Sequence, residues 1–113
     1  MKTSDITFKI ELDEKNVPEK IVWTASDKGK GNPDTTNAIA IAIWDGVKKN
    51  TMRIDLWTKD MPVDEMKRFH IDCIGGLAQS LLNSTGDEYM AGEINSLCDT
   101  LVEHLKKELS GNQ

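Results

Sequence analysis

The sequence predicts an α+β domain: a four-stranded antiparallel meander followed by two antiparallel helices packed on one face. Three observations lead there. Apolar residues recur with a period of two through the first half of the chain and with steps of three and four through the second half. The chain has 113 residues, enough for one domain spanning 1–113 with one core. Strands gathered first and helices gathered second give a sheet covered on one side.

The first strand is 6-ITFKIEL-12, where Ile6, Phe8, Ile10 and Leu12 alternate with Thr7, Lys9 and Glu11. The polar segment 13–20 contains Pro18 and reads as a connection. A second strand over about 20–26 puts Ile21, Trp23 and Ala25 on one face and Val22 on the other. The stretch 27-DKGKGNPDTT-36 reads as an irregular, mobile loop. Its Asp27, Asn32 and Asp34 do not have the spacing of an EF-hand loop, and no bidentate Glu closes the set.

Strands three and four, about 37–44 and 51–58, form a hairpin across Asp45-Gly46. Ile39, Ile41 and Ile43 share a face with Met52, Ile54 and Leu56, which is expected to seat the helices. The opposite face carries Ala38, Ala40, Ala42 and Trp44 with Arg53, Asp55 and Trp57. Trp is favoured at protein interfaces and loses little entropy when held. Those seven residues are therefore the expected protein-interaction surface, with Arg53 and Asp55 pairing across the contact.

The first helix, about 62–83, starts at Pro62 with Asp64 and Glu65 in its first turn, where acidic side chains complement the helix dipole. Its apolar stripe is Met66, Phe69, Cys73, Ile74, Leu77 and Leu81. The second, about 87–109, carries Met90, Ile94, Leu97, Cys98, Leu101, Leu105 and Leu109. Gly75-Gly76 inside the first helix predicts a kink or, in preference, close approach of another helix.

Composition narrows the function. The net charge of −5 excludes nucleic acid as the main partner, since phosphate binding needs a basic excess. No run approaches the ~20 apolar residues of a membrane span. The N-terminal segment has no apolar leader core, so a cytoplasmic location with reduced cysteines is expected. His70, Cys73, Cys98 and His104 could in principle surround zinc, but both cysteines sit in apolar stripes, where free cysteine acts as a small hydrophobe. No nucleophile elbow, P-loop or dinucleotide fingerprint is present. The expectation is a non-enzymatic protein with no cofactor, no metal and no catalytic residue. Its partner would be another protein or further copies of itself, as a dimer or tetramer. A pocket between sheet and helices, lined by Phe8, Trp23 and the helix stripes, would instead make it a small-molecule binder.

The segment 51-TMRIDLWTKDMPVDEMKRF-69, with 17-VPEKIVW-23, the IWD of 43–45 and the N-terminal residues 1–21, resembles the GldC family of gliding-motility proteins. The resemblance implies a small soluble accessory protein of surface motility and its associated secretion machinery in Bacteroidetes-type bacteria. It transfers no catalytic residue. The strand-then-helix order also looks like the export chaperone SecB, which implies a chaperone-like role and an oligomer; fold analogy alone does not establish function.

Overall fold

The computed structural model describes residues 1–27 and 34–111. The chain divides into two compact units, Met1–Met61 and Pro62–Gln113, each described by itself.

The first unit holds β1 (Ile6–Leu12), β2 (Pro18–Ala25), β3 (Asp34–Thr36), β4 (Ala38–Asp45) and β5 (Asn50–Trp57). These are five strands in two sheets, β1-β2-β3 and β4-β5, and every pairing is antiparallel. The expected four-stranded meander is corrected in two respects. Asp34–Thr36, taken as loop, is a strand opposite Ile21–Trp23. The hairpin forms a sheet of its own instead of continuing the first. The loop's mobility and its Asn32 fall at 28–33, outside the described residues.

In the three-stranded sheet the period-two pattern holds. Phe8 stands opposite Trp23 and Ile10 opposite Ile21, so these side chains share a face, and Ile21 is wholly buried. Strand β2 starts at Pro18, earlier than expected; a first strand position tolerates the missing N–H. The β1–β2 turn is organised by Asp13. Its Oδ1 accepts from the N–H groups of Lys15 (2.8 Å) and Val17 (3.0 Å), and Lys59 Nζ donates to its Oδ2 (2.9 Å). The Val17 amide first, then Lys59, holds the Asp13 carboxyl below its ordinary range.

One extended stretch serves both sheets. Thr36 pairs with β2, Ala38 pairs with β5, and Asn37 lies between. Beneath this corner Thr58 is buried. Its hydroxyl donates to Asp60 Oδ1 (2.7 Å) and accepts from Asn37 Nδ2 (2.9 Å), while its N–H donates to the Asn37 carbonyl (2.8 Å). Lys59 N–H then reaches the Pro18 carbonyl (3.1 Å), tying the end of β5 to the start of β2.

The second unit is a helical hairpin, α1 (Val63–Thr85) and α2 (Glu88–Ser110). Pro62 is the N-cap of α1, one position before the expected first turn, and Gly86 in the left-handed region closes its C-terminus. Asp87 caps α2 by accepting from Met90 N–H (2.9 Å). The short turn at Gly86-Asp87 sets the antiparallel order, and at the open end Lys67 Nζ meets Glu108 Oε1 (2.7 Å). Helix α1 continues through Gly75-Gly76. A methyl group at Gly75 would meet Cys98 Sγ at an ordinary 3.9 Å, and one at Gly76 would meet nothing. The preferred expectation, close approach at this pair, is therefore not what α2 provides. Small side chains do the close packing elsewhere: Ala78 and Ala91 are buried, as is Leu105.

Two outcomes follow from this architecture. Thr58→Val leaves Asn37 and Asp60 without their shared hydroxyl and should cost about 1–2 kcal/mol in urea unfolding. Because the folded Asp13 pKa is depressed, its contribution is present above the unfolded value near 4 and is lost as pH falls through the folded one. Melting temperatures of the wild type and Asp13→Asn, measured between pH 2 and pH 6, should therefore converge at the acid end.

Candidate interaction surface on the hairpin ribbon

The β4–β5 ribbon is built by a regular eight-pair register from Ala38–Trp57 to Asp45–Asn50. Its turn is set by Asp45, whose Oδ1 accepts from Val47 N–H (2.9 Å) and Lys48 N–H (3.1 Å) and whose carbonyl accepts from Lys49 N–H (2.9 Å). The left-handed position falls on Lys49 (φ 58°), not on Gly46. The side-chain cap of Asp45, an Asx turn, drives the reversal.

Directly paired residues share a face, so the register separates two surfaces. One holds Ala38, Ala40, Ala42 and Trp44 with Trp57, Asp55, Arg53 and Thr51 opposite them in turn. All seven residues expected at an interaction surface are thus brought to one side. Trp44 and Trp57 are 62% and 48% exposed. They stand six pairs apart, about 20 Å at 3.4 Å per residue. Between them Arg53 closes on Asp55 in a fork: Nε donates to Oδ2 (3.1 Å) and Nη2 to Oδ1 (2.8 Å). The expected pairing across a contact is thus already made within the strand. The surface consists of two aromatic anchors separated by an ion pair and a strip of alanines. Trp57 also borders a groove of about 250 Å³ whose other wall includes Asn16, Val17 and Pro18.

The other face is aliphatic. Ile39 pairs with Leu56, Ile41 with Ile54 and Ile43 with Met52. Its inner end is covered, with Ile39 at 9% exposure, but Ile54, Ile43 and Met52 are 49%, 52% and 60% exposed. Period-two alternation identifies which residues share a face but carries no signal for how far along the strand cover extends.

The four candidate metal ligands are not assembled. Among the described residues, no three of His, Cys, Asp and Glu form a group that could hold a metal ion. His70 Nδ1 donates to the Met66 carbonyl (2.7 Å), and His104 Nε2 pairs with Glu108 Oε2 (3.3 Å). Cys98 Sγ lies 3.9 Å from the Ile71 carbonyl, and neither cysteine is in a disulfide. Residues 71 and 75 bracket Cys73 and face α2; residues two apart on a helix point to opposite sides, so Cys73 faces away. Toward the open end of the hairpin, Met66, His70, Ile71, Leu101 and Leu105 line an apolar groove of about 410 Å³. The Lys67 ammonium, with His104 beside it, holds the Glu108 carboxyl there below its ordinary range.

No helix among the described residues is long and apolar enough to cross a membrane. The family model described as gliding motility-associated protein GldC-like matches residues 18–107, which include the whole ribbon and most of both helices. No curated relative and no solved structure matches the chain.

Acrylamide quenching checks the geometry of the Trp face. Emission from Trp44 and Trp57 should be strongly quenched, and the double variant Trp44→Phe, Trp57→Phe should retain only the more protected signal of Trp23.

Proposed function

Because the chain belongs to the GldC-like family of gliding motility-associated proteins, we propose that it is a non-enzymatic cytoplasmic accessory protein that works by binding another polypeptide of the motility and secretion apparatus. The observation that carries this is the face bearing Trp44 and Trp57. Two large aromatic side chains stand exposed on one face of the ribbon, in a chain whose net charge and motifs support neither nucleic-acid binding nor a catalytic site. Tryptophan anchors supply much contact area for little lost entropy, and they dominate the energetics of many interfaces. The alanines between them let a partner backbone lie close to the sheet. The Arg53–Asp55 fork presents a polar centre that a partner can meet without stranding an unpaired charge, because the two are already paired.

The groove between α1 and α2 supports a second reading, a site for a small apolar molecule, on its volume and its aliphatic lining. The Trp face is favoured because two exposed tryptophans on one face of a sheet are more than a packing gap between two helices.

Affinity capture from a gliding strain, with tagged wild type and tagged Trp44→Asp, Trp57→Asp in parallel, tests the proposal. Wild type should enrich one identified motility or secretion protein by at least about tenfold over the variant, the loss expected when an anchor residue is removed. Equal enrichment by both, or none by either, would overturn it.

A further inference from the structure

We draw no further inference here: the strongest candidate, the apolar groove of about 410 Å³ that Met66, His70, Ile71, Leu101 and Leu105 line at the open end of the helical hairpin, carries nothing because nothing in the structure shows what covers it.

Discussion

The corner at Asn37 is the constraint on which the first unit depends. A strand that passes from one sheet to another must bend, and the bend withdraws backbone groups from both ladders. Here the Asn37 carbonyl takes the Thr58 N–H, the Asn37 amide takes the Thr58 hydroxyl, and that hydroxyl is in turn oriented by Asp60. Without those bonds the corner would bury unsatisfied polar groups at a cost of about 1–3 kcal/mol each. With them, β3 and β4 can belong to different sheets although one residue separates them. The exposure gradient along the ribbon follows. Ile39, next to the corner, is covered, and Ile43, four residues beyond it, is half open.

Alternation of residue type makes the ribbon chemically two-sided. On one side the apolar groups are discontinuous, with tryptophans about 20 Å apart and an internal ion pair between them. Such a surface favours a specific heterologous contact, because anchors at fixed spacing and a polar centre must all be matched. On the other side the aliphatic residues adjoin one another in register. The division arises from residue type at alternating positions, so neighbours in sequence such as Arg53 and Ile54 serve opposite surfaces.

Much of this was legible in the sequence, and what was not has identifiable causes. The first strand, the hairpin pairing and both helices follow from periodicity, which is a property of single segments. The seven residues of the Trp face share a side as expected, because alternation assigns faces directly. Strand β3 left no trace: Asp34-Thr35-Thr36 is polar and short, and it is a strand only because β2 offers it an edge. The break into two sheets is likewise relational, since alternation says nothing about which strand lies beside which. Ala78 and Ala91 escaped notice because small residues add little to an apolar stripe, although close helix packing is where they are needed. Gly75-Gly76 drew notice for the cost of glycine in a helix, yet α1 passes through it and α2 does not press on it.

Which face is which depends on register. A slip of one residue in either strand would carry that strand's aliphatic side chains to the Trp side and its Trp-face residues to the other. A sheet of only two strands has no third strand to oppose such a slip. Register must then be held from the ends. At the tip, Asp45 accepts from two loop amides through its side chain and from Lys49 through its carbonyl, which fixes Asp45 opposite Asn50. At the base, the Thr58–Asn37 bonds fix the residue after Trp57 against the residue before Ala38. Between two pinned ends eight residues face eight, and a slip would require breaking one of these polar clusters. The separation of the two surfaces therefore rests on polar groups at the two ends of the ribbon, Asp45 at the tip and Asn37 with Thr58 at the base.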